Sequence, residues 1–161
     1  MPKKGPAEAA RGGLSQWISF LVGRVAHAAR ADFQTRLAPL KLTPKQFSLL
    51  VAVREAGASS QAKLGAMLGV DRNTIVLLVD DLESRSMVRR CSLEGDRRAN
   101  SVTITRMGLR VLEKAEVLAA NSEGQIYASL SRSQRGRFRC LLLQIVLGRE
   151  KRIESGTQFR R

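Results

Sequence analysis

The chain has 161 residues, enough for one domain with a real core; 43% of them are apolar and only 4% aromatic, so the core is aliphatic and, with few prolines, helical. Twenty-eight lysines and arginines against fourteen acids leave a net charge of +14 and a pI near 11.3, an excess that attracts polyanions, chiefly nucleic acid or an anionic membrane surface. A single histidine, His27, and two cysteines, Cys91 and Cys140, leave almost nothing from which to build a Cys–His nucleophile, a metal site or a disulfide framework. No enzymatic activity, metal or cofactor is expected.

The charge is concentrated at the two ends. Residues 59–106 carry eight basic and six acidic side chains, whereas residues 1–42 carry seven against two and residues 107–161 eleven against five. Lys3, Lys4 and Arg11 ahead of an apolar stretch at Trp17–Gly23 have the outline of a secretion signal. Arg24 ends that stretch after seven residues, however, and the helical spacing runs on to Leu37. No run reaches transmembrane length. A cytoplasmic protein with reduced thiols and no membrane partner is expected.

Residues 1–13, small, basic and broken by Pro2, Pro6, Gly12 and Gly13, read as a mobile arm. From Leu14 to Leu37 a helix is expected, with Leu14, Ile18, Leu21 and Val25 as its apolar stripe, widened by Trp17, Phe20 and Phe33. Asp32 falls on the continuation of the stripe. Arg36, one turn on, is placed to neutralise it; the other reading is that Asp32 borders a polar pocket. Thr43-Pro44-Lys45-Gln46 has the form of a capping box. The helix that follows is expected to bury Phe47, Leu50, Val51 and Val53 and to stop at Gly57. Ser59 or Ser60 caps the next, with Ala62, Leu64, Met67 and Leu68 inward and Gly69 as its stop. Asp71 caps another at once, which makes a helix-turn-helix. Met87–Leu93 and Ser101–Thr105 then form a two-stranded wing. Thr105 caps a long helix to about Ser129. Ser131 or Ser133 opens a last one, striped by Phe138, Leu141, Leu142, Ile145 and Val146 and ended by Gly148, with a basic tail at 149–161.

On a helical wheel for Arg72–Arg85, Ile75, Leu78, Val79 and Leu82 form the buried face. A groove-reading helix touches bases mainly through its first turns. Arg72 suits guanine, Asn73 adenine, Thr74 phosphate or either base, and Val76 and Leu77 the methyl groups of thymine. Asp80, Asp81 and Glu83 argue instead for an ordinary surface helix. The wing raises the weight of the first reading: Arg97 and Arg98 at its tip, following Arg89 and Arg90, suit phosphate or a narrow minor groove. Asp96 beside them is expected to pair with an arginine.

The ordered set LTPKQFSLL, SSQAKLGAMLGVDRNTI, LVDDLESRSMVRR and GDRRANSVTITRMG, spanning residues 42–108, resembles the DNA-binding half of the MarR (multiple-antibiotic-resistance regulator) family. The resemblance implies a mainly α fold with a small β-wing: a winged helix-turn-helix at 42–106, plus a helical dimerisation region from the N- and C-terminal segments 14–41 and 107–148. It implies a homodimeric repressor of transcription on double-stranded DNA, reading an inverted repeat whose half-sites lie about 10–10.5 bp apart. The apolar end helices, with too little surface around them to be covered within one chain, agree with a two-fold dimer. The chain departs from the family at Val76 and Leu77, where polar or basic residues are common, and at Ser86, where glycine is common. Members of the family commonly release DNA on binding a small aromatic or anionic effector. Trp17, Phe20, Arg24 and His27, on one edge of the first helix, are the candidate pocket here, with Arg24 or His27 pairing a carboxylate; the positive charge of the end segments also fits a larger anion such as an acyl-coenzyme A. The alternatives are redox sensing through Cys91, near four arginines in sequence, and an architectural or protein-binding winged helix without a specific operator. Cys140 reads as structural.

Overall fold

A 3-10 turn at Gly13–Gln16 leads to the first helix, α1 (Ile18–Leu37). Trp17 between them is extended, so the expected continuous helix is broken there. After a 3-10 turn at Ala38–Leu40 come α2 (Pro44–Ala56), a two-residue strand β1 (Ser59–Ser60), α3 (Gln61–Leu68), α4 (Arg72–Ser84), β2 (Val88–Leu93), β3 (Asp96–Ile104), α5 (Arg106–Ile126) and α6 (Arg132–Thr157). This computed structural model describes residues 13–93 and 96–157, with side chains described for residues 13–91 and 101–148. The arm at 1–12 and the last residues of the basic tail lie outside the described residues. No helix among the described residues is long and apolar enough to cross a membrane.

Local chemistry sets most helix starts. Thr43 accepts the Gln46 backbone N–H at 3.2 Å while the Gln46 side chain accepts the Thr43 N–H at 2.8 Å, the reciprocal box expected at α2. Ser60, Asp71 and Thr105 accept the N–H groups of Lys63, Thr74 and Gly108 in the same way. Gly69, at φ 62, ends α3 in the left-handed conformation that glycine adopts without a Cβ clash.

The chain divides into two units at Glu123/Gly124. The core of the first is aliphatic: Leu37, Leu42, Leu49, Leu50, Leu64, Ile75, Leu82 and Leu112 are fully buried. Phe33 and Phe47 meet edge to face at 5.0 Å beside it. The inward face of α2 is rotated from the expected one. Leu49 and Ala52 are buried, while Phe47 and Val51 are only half-buried. Ala62 and Met67 of α3, expected inside, are exposed, Met67 by 50%; α3 has only eight residues and buries the single face carried by Leu64 and Gly65.

The sheet is antiparallel, in the order β1-β3-β2. Its third strand, Ser59–Ser60 against Val102 and Ser101, was not among the expected elements. Val88 and Val102 are buried and Ile104 is half-buried, as their alternation requires. Asp32 accepts from Arg36 at 2.6 Å and from the Ser122 hydroxyl at 2.5 Å. The Arg36 bond, then the Ser122 bond, hold its carboxyl below the usual range. The intrahelical pairing is therefore found, with a link to α5 added.

In the second unit, Ser131 rather than Ser133 caps α6, through a reciprocal box with Gln134. Tyr127 and Phe138 pack with ring centres 6.0 Å apart. Two expected ends are corrected. The long helix stops at Ile126 rather than near Ser129, and α6 runs through Gly148 to Thr157. A glycine inside a helix costs only about 1 kcal/mol and does not by itself end one.

Ser86 closes α4 at φ 56, where its amide donates to Glu83 and that of Met87 to Leu82, both at 2.8 Å. A side chain in this left-handed conformation is strained. Ser86→Gly should therefore stabilise the protein by about 1 kcal/mol, read as a higher urea midpoint with an unchanged slope.

Candidate nucleic-acid interface

The turn between α3 and α4 is tight because its residues permit close approach. Val70 donates to the Gly65 carbonyl at 3.0 Å, and Gly65 lies against the Val70 carbonyl and the Ile75 side chain. Asp71 then starts α4. It accepts the Thr74 amide at 2.9 Å and the Thr74 hydroxyl at 2.6 Å. The Thr74 side-chain bond, then the backbone bond, lower its pKa. The Thr74 proton is thereby engaged, and its oxygen keeps acceptor capacity.

Ile75, Val79 and Leu82 bury one side of α4. Arg72, Asn73 and Leu77 stand exposed, and Thr74 and Val76 are half-buried. The first two turns thus present hydrogen-bonding side chains followed by one apolar side chain.

The acids that made α4 look like an ordinary surface helix all have partners. Asp80 and Glu83 accept the two terminal nitrogens of Arg90, and Glu83 also takes the Arg90 backbone N–H at 2.7 Å. Burial opposes the Arg90 charge, but the hydrogen bonds to Asp80 and Glu83 outweigh it and raise its pKa. Asp81 accepts from Gln46 Nε2 at 2.6 Å and lies 3.4 Å from Arg85. Arg85 in turn donates to the carbonyls of Lys41 and Leu40 at 2.8 and 3.1 Å. The far end of α4 is tied by these bonds to the wing and to the start of α2.

Strand alternation sends the adjacent Arg89 and Arg90 to opposite faces. Arg90 pairs across from Val102 and turns toward α4. Arg89 is exposed and donates to the Thr103 hydroxyl at 3.2 Å. Arg97 and Arg98 fall on the backbone of β3, while their side chains, with that of Asp96, lie outside the described ones. The half-buried Cys91 has its Sγ 3.7 Å from Thr103 Oγ1, and Cys140 is exposed on α6.

Phe20, Arg24 and His27 come together on a shallow groove along α1, of about 470 Å³. Trp17 is not part of it and is 62% exposed. A larger cavity of about 860 Å³ lies between Arg30 and Gln34 of α1, Lys45 and Gln46 at the start of α2, and Leu68, Val70 and Leu78. Its walls come from segments up to 48 residues apart, and no single stretch of sequence announces it. Among the described residues, no three His, Cys, Asp or Glu side chains converge as a metal site would require.

Residues 42–99 match the model of the MarR family. The transcriptional repressor NicR of Pseudomonas putida is 31% identical over 112 residues, which are 70% of this chain and 71% of NicR. CouR of Rhodococcus jostii, in a structure with p-coumaroyl-CoA bound, is 30% identical, with a TM-score of 0.74 over 83% of this chain and 94% of that one. CouR bound to a 23-mer DNA duplex matches with a TM-score of 0.79 and 29% identity, over 84% and 96% of the two chains. The chain belongs to the MarR family of winged helix-turn-helix, DNA-binding transcriptional regulators.

Proposed function

We propose that the protein is a homodimeric repressor that sits on an inverted-repeat operator and leaves it when a small anionic molecule binds. The reading of DNA rests on one observation above all: the first turns of α4 are exposed while each acid behind them is engaged by an arginine within the fold. Arg72, Asn73 and Thr74 contact base edges in the major groove, and Arg89, Arg97 and Arg98 hold phosphate or the minor groove. Arg90 serves this surface indirectly, through Asp80 and Glu83. The dimer rests on uncovered apolar side chains: Leu14, Ile18 (75% exposed), Leu21 and Val25 in the N-terminal segment, and Leu141, Ile145 and Leu147 in α6. A second copy is what covers such surfaces in a two-fold assembly.

Arg97→Ala should weaken binding to every duplex and lower the salt slope by about 1, whereas Asn73→Ala should relax preference at defined base pairs. Binding measured across a panel of duplexes and salt concentrations separates the two. Equal losses on all sequences for both variants would refute this division of roles.

The effector site in this reading is the larger cavity, with the α1 groove as its extension. Phe20, Arg24, His27, Arg30 and Gln34 follow one another along one side of α1. Arg30 and Lys45 supply cations, and Leu68, Val70 and Leu78 an apolar wall. This combination suits an amphipathic anion, an aromatic acid or its coenzyme A thioester. Gln46 both lines the cavity and holds Asp81 of α4, so a ligand that displaces Gln46 also loosens the reading helix. Titration calorimetry with an aryl-coenzyme A and the matching free acid should favour the thioester. Equal affinity would remove coenzyme A from the account.

A further inference from the structure

The exposed face of α4 has an apolar centre. Leu77 is 69% exposed and lies one turn beyond Asn73 on the same side, whereas the adjacent Val76 is half-buried. A single exposed leucine is ordinary on a protein surface. Two things set this one apart. It occupies the middle of the surface that Arg72 and Asn73 begin, and Asp80, the next residue along that face, is held by Arg90. Among the described side chains, the acid nearest Leu77 on this face is therefore already engaged by an arginine. A leucine offers no donor or acceptor, so within the major groove it distinguishes bases only through the thymine C5-methyl group.

We propose that Leu77 is a specificity-determining residue that packs on the methyl group of one thymine in each half-site. Four residues of helix advance about 6 Å, close to two base-pair steps of about 3.4 Å. That thymine therefore lies within about two base pairs of the base read by Asn73. The proposal rests on α4 being the groove-reading helix.

The test uses the full-length protein and an operator selected from random duplexes. Each thymine is replaced singly by deoxyuridine, which removes one methyl group and leaves base pairing intact. One position per half-site should lose about fourfold in affinity, the worth of one buried methyl group, and about fifteenfold when both half-sites are changed. Leu77→Ala should bind the thymine duplex more weakly and no longer distinguish thymine from uracil at that position. Since Leu77 is exposed, the variant should keep the wild-type thermal midpoint. A selected operator whose response to uracil is the same in wild type and Leu77→Ala would overturn the proposal alone. Failure to select any operator would overturn the groove-reading role of α4 and this proposal with it.

Discussion

Gly108→Ala should cost about 3 kcal/mol or more and lower the thermal midpoint by roughly 6–12 °C or more. A Cβ at position 108 would fall 2.1 Å from the Met87 carbonyl oxygen and 2.8 Å from Ile104 Cγ1. The Met87 carbonyl is fixed: it accepts the Thr105 amide at 3.0 Å, and the Thr105 hydroxyl, whose one proton lies between the Ser86 (2.7 Å) and Met87 (3.1 Å) carbonyls, takes the Gly108 N–H at 3.0 Å on its oxygen. Moving it breaks the cap of α5 and shifts Met87, which is itself buried. This joint locks the end of α4, the wing and the start of α5 together, so the variant should also bind DNA poorly at temperatures where it remains folded. Gly124→Ala in the same helix is the control. Its Cβ would meet nothing within 4 Å, and the helix should be unchanged or more stable by up to about 1 kcal/mol. Equal melting points for the two variants would refute the close-approach argument.

Arg90→Ala should weaken operator binding by roughly tenfold, since it turns a partly exposed, internally paired cluster into a more negative one beside the proposed DNA surface. The substitution removes one cation and leaves Asp80 and Glu83 without it on the helix proposed to face DNA. Its signature is a rescue. In an Asp80→Asn, Glu83→Gln background, the same Arg90→Ala change should cost less than about threefold, because no carboxylate is left to unmask. A full loss in that background would mean that Arg90 itself touches DNA, as its place beside Arg89 in the sequence implies.

Those two positions show where sequence reading succeeded and where it failed. Thr43, Asp71, Thr105 and Gly69 were legible because caps and left-handed stops are local. Each acts on residues within about four positions, and side-chain type alone fixes the role. The Thr105–Gly108 spacing was visible as part of a family resemblance, but its reason was not, since the crowding atom belongs to Met87 on another element. The partners of the α4 acids were hidden in the same way. Asp80, Asp81 and Glu83 read as a solvated face, and the fold alone brings Arg90, Arg85 and Gln46 to them. The strand Ser59–Ser60 carries no apolar alternation at all and exists only by pairing with β3. The larger cavity is built from four separate segments, so no single stretch of sequence points to it, whereas the aromatic and basic edge of α1 is contained in one helix.

In the proposed function a dimer reads an inverted repeat through two copies of α4. Selection of bound sites from random duplex DNA by the full-length protein tests it most directly. Two inverted half-sites about 10–10.5 bp apart, centre to centre, are expected. Recovery of sequences with no shared motif, or of a single unrepeated half-site, would contradict it.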